Sequence, residues 1–512
     1  MESNGIVGRC NHDVTTTKAA VGLRSERGPI LLAVMISMGL IAIDTTIIAT
    51  AVPSIVRDVG GFSQFPWLFS VFLLAQAVSV PIYGKLADAV GRKPIMLTGI
   101  AVFVLGSVLC GVAWSMPVLI VARAVQGLGA GAVAPMAMTI VGDIYSIEER
   151  GRVQGYLGSV WGIASVVGPT LGGVFSDYAS WRWIFFVNLP IGAVAAWMLW
   201  RRFEESVERR RHRIDYAGAV ALAAGFSLLI LALLEGGERW GWTSPVTLGL
   251  TAAGLLLLVA FGFIERRAEE PIIPFWVLGR RVLIGGNLSA FLVGALLIGL
   301  TSYVPTYAQG VLGTSALVAG LAVGAMSMGW PLSSAFAGRV YMRIGFRDTA
   351  LIGCVAVFAG ACLMLLLDGG SSIWMVAAYC FVIGAGFGFT ASPTMVAVQS
   401  VVGWGQRGVV TGANVFARSI GSAVGVAAFG AIANSAIGAR LDEAPGSVAD
   451  ALPDSPDGVL RSLSAGASDA VESYARGTLE VGSHDVFIGI VCVAVLLAAS
   501  VALIPRRVDT TR

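Results

Sequence analysis

Ile43-Asp44-Thr45-Thr46-Ile47-Ile48 sets one carboxylate inside about two dozen predominantly apolar residues, from Pro29 to Val52. A helix of that length spans the ~30 Å hydrocarbon core of a bilayer. A charge at its middle costs about 2.5 to 3.5 kcal/mol by insertion scales. Asp44 is therefore either a working residue or half of a static ion pair that fixes helix packing.

The rest of the chain has the same character. Hydrophobic residues make up 56% and charged residues 13%, with a mean hydropathy of +0.80, against about 25% charged residues in an ordinary soluble domain. This composition predicts an all-α polytopic membrane protein. A net charge of +3 with no basic face argues against a nucleic-acid partner. The six cysteines are scattered without a C-x-x-C pair, so neither a metal site nor a disulfide framework is expected. His12, His212 and His484 all fall in polar segments, which leaves carboxylates as the intramembrane proton carriers.

Apolar segments recur at roughly 29–53, 66–86, 94–114, 117–141, 153–175, 183–200, 214–234, 245–264, 282–311, 316–338, 349–367, 373–398, 409–434 and 486–504. About fourteen spans place both ends on one side. Most of the 34 lysines and arginines then fall on that side, as the positive-inside rule requires of a cytoplasmic face. Only Arg123 and Arg418 lie within spans. The apolar run after the basic first 28 residues is too long for a signal-peptide core, so the N-terminus is expected to stay uncleaved. The expected order is a cytoplasmic tail (1–28), a six-span bundle (29–200) and two linker spans with basic flanks (201–281). A second six-span bundle (282–505) and a short cytoplasmic tail (506–512) follow. The outer segment 436–484 is rich in Ala, Ser, Gly and acidic residues and reads as a largely flexible external loop, with room for short amphipathic helices.

Two loop segments repeat. Gly84-x-x-x-Asp88-x-x-Gly91-Arg92-Lys93 follows the second span, and Gly338-Arg339-Val340-Tyr341-Met342-Arg343-Ile344-Gly345 follows the tenth with the same glycine spacing. Arg150-Gly151 before the fifth span likewise matches Arg407-Gly408 before the thirteenth, at nearly the same offset. The chain reads as two parallel six-span halves with two extra spans between them. In that plan the substrate site lies between the halves, near the midplane.

These segments carry a family resemblance. The Gly84-to-Lys93 loop, the run Arg123-x-x-Gln126-Gly127-x-Gly129, and Gly158-x-x-x-Gly162 continuing to Gly168-Pro169-Thr170-Leu171-Gly172-Gly173 resemble the loop, proton-linked and antiporter motifs of the major facilitator superfamily. Asp44-Thr45-Thr46-Ile47-Ile48, the run Trp181-Arg182-Trp183 through Asn188-Leu189-Pro190, and the two inserted spans resemble its fourteen-span drug/proton antiporter branch, the EmrB/QacA type. The resemblance implies the major facilitator fold, two six-helix bundles plus two inserted central helices. It also implies export driven by the proton gradient, in the plasma membrane of a bacterium.

The residues can be read beside the family. Counting from the outer ends of their spans, Asp44 and Arg123 sit ~9 to 12 Å deep, at matching levels. An Arg123 partner favours the charged carboxylate and desolvation disfavours it, so a change in their separation would load or release a proton. Asp88 with Arg92 and Lys93 stands where charge contacts and a helix dipole can latch one conformation; plain loop topology is the alternative. Met342 replaces the acid in the second copy, so the latch is expected mainly in the first half. The fifth-span glycines allow close helix packing, and Pro169 interrupts the backbone ladder. The resemblance adds a bend point that seals an outward leak.

Substrate-cavity candidates are Gln126, Trp161, Tyr303, Tyr307, Trp330, Asn414, Phe416 and Arg418. The tyrosines share a helix face and could instead be interfacial belt aromatics, and Arg418 could meet either an anionic group or another helix. Nothing resembles a Walker A loop, a metal site or a nucleophile constellation, so no enzyme and no cofactor is expected. The expected function is proton-coupled export of small amphipathic compounds by a monomer in contact with membrane lipids. The alternatives are a dedicated exporter of an endogenous lipid, siderophore or metabolite, and a transport-inactive sensor or scaffold.

Overall fold

The computed structural model describes residues 22–59, 67–205, 215–235, 240–268, 275–314, 316–445 and 469–506. Those residues are helical almost throughout, because a chain in hydrocarbon must satisfy every backbone group within its own segment. The first six sequence spans fold as α1 (Gly28–Val59), α2 (Trp67–Val90), α3 (Arg92–Gly111), α4 (Met116–Ile144), α5 (Ile147–Tyr178) and the pair α6 (Trp183–Phe186) and α7 (Asn188–Arg202). The two inserted spans are α8 (Tyr216–Glu235) and α9 (Pro245–Arg267), followed by a short α10 (Phe275–Gly279). The second half comprises α11 (Arg281–Gly310), α12 (Ala316–Ile344), α13 (Phe346–Met364), α14 (Ile373–Ser400), α15 (Arg407–Asp442) and α16 (Asp469–Ala502). Among the described residues eleven helices are long and apolar enough to cross a membrane; α5, α8 and α12 are further membrane-length helices there.

Each half builds its own core. Leu31, Leu40, Ile100, Phe103, Met136 and Leu199 pack together in the first, and Leu296, Phe387, Phe429, Phe487 and Leu497 in the second. The repeated loops take the same backbone form. Gly91 has φ 103° and Gly345 φ 91°, and each turns one helix straight into the next (α2 to α3, α12 to α13). A side chain at either position would be strained. This explains the shared glycine spacing.

The halves meet along two seams, α5 against α12 and α2 against α15. On α5, a Cβ at Gly151 would lie 2.5 Å from Gly338, one at Gly158 3.0 Å from Pro331, and one at Gly162 3.2 Å from the Ser327 carbonyl. Small residues at roughly four-residue spacing thus let the two backbones approach across the seam. The inserted α8 lies against α2 and α15, with Phe226 edge-on to Phe416 at 4.7 Å. Beyond it α9 turns Leu255, Leu256, Val259 and Phe263 outward, as a lipid-facing helix would.

The outer segment departs from its sequence reading at both ends. Residues 436–442 continue α15 and 469–484 form the first turns of α16, where Val471, Ala475 and Leu479 pack into the second core. Their spacing of four puts them on one helix face, so the acidic residues between them do not make a solvated connector. The part at 446–468 lies outside the described residues.

Candidate functional site

The Arg123-to-Gly129 run on α4 explains how a charge pair forms in the middle of a bundle. A Cβ at Gly127 would come within 2.4 Å of the Phe72 carbonyl on α2, and one at Gly129 within 2.3 Å of the Phe103 nitrogen on α3. Without those side chains α4 presses against both neighbours. Arg123 then reaches Asp44 on α1, with Nη1 donating to Oδ2 at 2.6 Å and both side chains about 1% exposed.

The pair is embedded in neutral polar partners. Arg123 also donates to Gln126 Oε1 at 2.7 Å and to the Leu68 carbonyl at 3.1 Å, and its guanidinium lies 4.1 Å from the centre of the Phe72 ring. Asp44 Oδ1 accepts from Gln126 Nε2 at 2.7 Å and from Asn188 Nδ2 at 2.8 Å, and both amides also donate to Ser107. Five helices of the first half thus converge on one carboxylate. A group accepting from three donors is satisfied in its ionised, acceptor-only form. One atom stands apart: Asn188 Oδ1 is buried without a hydrogen-bond partner among the described residues.

Gln126, a substrate-cavity candidate from its sequence, belongs instead to the charge network. Its side chain is buried and spent on Asp44, Arg123 and Ser107. Ser107 and Asn188 were not singled out as site residues, although Asn188 stands in the Trp181-to-Pro190 run.

A second charge cluster closes one end of the seam. Asp88, at the end of α2, accepts from the backbone nitrogens of Gly408 at 3.0 Å and Val409 at 2.8 Å, the first turn of α15. Those amides have no intrahelical acceptor, and the helix dipole favours a negative charge there. Gly84, one turn earlier, and Gly408 leave room for the approach, since a Cβ on Gly408 would lie 2.6 Å from Asp88 Oδ1 and from the Gly84 carbonyl. Arg92 is fully buried. It donates to Asp88 Oδ1 at 2.9 Å and to the Trp404 carbonyl at 2.7 Å, lies 3.1 Å from Asp143 Oδ2, and stacks on the Trp404 ring at 3.8 Å.

Arg407 of the second half completes the crossing with a 2.9 Å ion pair to Asp143. Lys93 does not join it: its ammonium donates to the Trp200 carbonyl, and its backbone nitrogen, like that of Arg92, donates to Glu205. Lys93 therefore ties α3 to the end of α7 within one half. On the other seam, Met342 is exposed, and the Tyr341 hydroxyl donates to the Ile147 carbonyl.

The fifth-helix glycines divide between two neighbours. Gly158 and Gly162 face α12, whereas a Cβ on Gly168 would meet Thr46 Oγ1 of α1 at 2.0 Å. Gly172 is buried; Pro169 and Gly173 lie on the helix, outside the residues whose side chains are described.

Four other cavity candidates pack elsewhere. Tyr307 is buried in the second core, donates to the Asp368 carbonyl at 2.6 Å and packs edge-on to Phe487; Tyr303 packs against the same core. Asn414 donates to the Gly286 carbonyl at 2.9 Å and clamps α15 to α11, and Phe416 packs on α8. Trp161, Trp330 and Arg418 remain on the side facing the other half. Trp161 lies two turns beyond Gln154, whose amide reaches Met138 of α4, and Trp330 packs on Phe387 at the corner between the α5-facing and α14-facing sides of α12.

Sequence comparison matches residues 34–426 to the family model described as Major Facilitator Superfamily. The chain belongs to the major facilitator superfamily. It is 36% identical over 436 residues to "Multidrug resistance protein 3" of Bacillus subtilis, covering 84% of this chain and 83% of that protein. It is 34% identical over 432 residues to "Multidrug transporter protein MdtP" of the same organism, covering 84% and 80%. The human organic anion transporter MFSD10 (TETRAN) superposes with a TM-score of 0.62 at 15% identity, over 93% of this chain and 99% of that one, a likeness of fold alone. This major facilitator protein is a multi-pass membrane transporter rather than an enzyme, built as two six-helix bundles with two helices inserted between them.

Proposed function

We propose that this protein is a proton-coupled antiporter of the fourteen-span EmrB/QacA type. It exports amphipathic drugs or toxic organic compounds by alternating access, as a monomer in the bacterial plasma membrane with both termini cytoplasmic. The observation that carries this reading is the single carboxylate at the centre of the first half, held by Arg123, Gln126 and Asn188. The names of the relatives, a multidrug resistance protein and a multidrug transporter, support the class of cargo.

The geometry gives protonation a structural consequence. A neutral Asp44 carries a hydroxyl that needs an acceptor, and a flip of the Asn188 amide, which now turns Nδ2 to the carboxylate, would bring in Oδ1, an acceptor without a partner among the described residues. Adding the proton also weakens the hold of Arg123, since the ion pair becomes an ordinary hydrogen bond. Half a turn along α1, Thr46 bears on Gly168 of α5, the helix that forms one seam with the second half. A shift of α1 is therefore felt at the surface where the halves slide. The Asp88 and Arg92 cluster holds the proposed cytoplasmic end shut in this conformation and must open for the substrate to enter.

The test is dye extrusion in inverted vesicles energised by a pH gradient. Wild-type protein moves the dye, an uncoupler stops it, and Asp44→Asn does not move it. Dye binding without gradient-driven flux in the wild type would instead identify a sensor.

A further inference from the structure

Arg418 is a cation in the middle of α15 for which the protein supplies no counter-ion: among the described residues no hydrogen bond or ion pair engages its side chain. A charge at that depth is tolerated when it faces protein or a water-filled cavity. Its helix position decides which. Arg407 and Thr411 lie on the same face of α15, within about 40° of Arg418 at 3.6 residues per turn. Arg407 reaches Asp143 of α4, and Thr411 accepts from Gln399 of α14, whose amide also reaches the Met138 carbonyl of α4. That face therefore looks into the space between the halves. Arg418 stands on it ~16 Å beyond Arg407, past the closed end, and is partly exposed.

Among the described residues no carboxylate lies at that depth to match it. Asp44 is 1% exposed and committed to Arg123, and Asp485, midway along α16, lies between the levels of Ile432 and Ile437 on α15, ~24 Å from Arg418 at 1.5 Å per residue. The Asp44 and Arg123 charges cancel. The face of α15 turned toward the first half thus carries one positive charge without a carboxylate partner among the described residues, and Trp161, 41% exposed on α5, and Trp330 on α12 turn apolar surface toward the same space. One guanidinium at roughly the depth of two indoles, ~12 to 16 Å from the closed end along their helices, is complementary to a compound with an acidic head and an aromatic or aliphatic body. It disfavours a cation.

We propose that Arg418 binds the acidic headgroup of the exported compound, so that the transporter selects amphipathic organic anions. This inference rests on the export reading and narrows its substrate class. It makes Arg418 a specificity residue with no part in proton coupling.

The test uses 1-anilinonaphthalene-8-sulfonate and its neutral isostere N-phenyl-1-naphthylamine, which lacks the sulfonate. Purified protein in phosphatidylcholine vesicles is assayed for binding by fluorescence titration and for transport under a pH gradient. The expected result is that Arg418→Gln weakens sulfonate binding and raises its KM about tenfold, the loss of one charge-assisted contact. Binding of the neutral dye stays within about twofold, and Arg418→Lys recovers part of the sulfonate affinity. Equal effects on the two dyes, or unchanged sulfonate binding, would overturn the assignment. Arg418-dependent sulfonate binding without gradient-driven flux would leave the headgroup site standing and remove the export reading instead.

Discussion

Asp44 Oδ2 lies 2.6 Å from Arg123 Nη1, and neither side chain is more than about 1% exposed. At that separation and burial the pair acts as one electrostatic object: each charge is tolerable because the other is there. Removing one partner of such a pair costs about 3 to 5 kcal/mol, although replacing both can be neutral or better.

Asp44→Asn is expected to abolish proton-driven efflux while the protein stays in the membrane. The amide keeps the shape but loses the titratable group, and its NH2 turns a donor toward Arg123, Gln126 or Asn188, which all donate to the carboxylate. Thermal stability in detergent should fall with it. Full gradient-driven efflux by a well-folded Asp44→Asn protein would remove Asp44 from the proton path.

Asp44→Asn combined with Arg123→Gln separates a working pair from a static one. Both charges are gone, so stability should recover most of the ~3 to 5 kcal/mol lost in either single variant. Efflux driven by a pH gradient should not recover. If it does, the pair only holds helices together and the proton site lies elsewhere.

The charge pair was legible in the sequence because an intramembrane charge is rare, and two at matching depth are readily joined. Its neutral partners were not. Gln126 reads the same whether it faces a cavity or a neighbouring helix, and Ser107 and Asn188 cost too little to stand out in a span. Asp88 and Arg92 were legible as a loop motif, but their partners Gly408 and Val409 lie more than 300 positions away and only the tertiary fold brings them together. Tyr307, Asn414 and Phe416 were misplaced for a related reason: a helix that is apolar nearly all round gives no periodic sign of which side faces its core. The outer segment did carry a signal, Val471, Ala475 and Leu479 at spacing four, masked by the acidic residues between them.

That outer helix gives a contrast in deletions. Leu479 is 1% exposed within the second core, so Leu479→Ala should cost about 2 to 5 kcal/mol, read as a lowered melting temperature in detergent. Removing 469–484 should abolish stable insertion, whereas shortening the Ser- and Gly-rich stretch inside 446–468 should leave dye efflux unchanged. Equal loss of efflux from both deletions would give the stretch at 446–468 a part in transport.

Gly408→Val tests the latch with a single added side chain. Its Cβ would sit 2.6 Å from Asp88 Oδ1 and 2.6 Å from the Gly84 carbonyl, so either α15 retreats or Asp88 turns away and its bonds to the Gly408 and Val409 amides are lost. Overpacking of this kind costs about 1 to 3 kcal/mol, enough to shift the closed and open populations about tenfold. Spin labels at the exposed positions Arg152 of α5 and Arg343 of α12 lie on opposite halves near the closed end, and their separation reports the opening. Gly408→Val should move the distribution to longer distances. Lys93→Ala should not, since Lys93 reaches Trp200 within its own half rather than the seam. An unchanged distribution in Gly408→Val, or an equal opening in Lys93→Ala, would show that closure rests on the α5 and α12 seam rather than on Asp88.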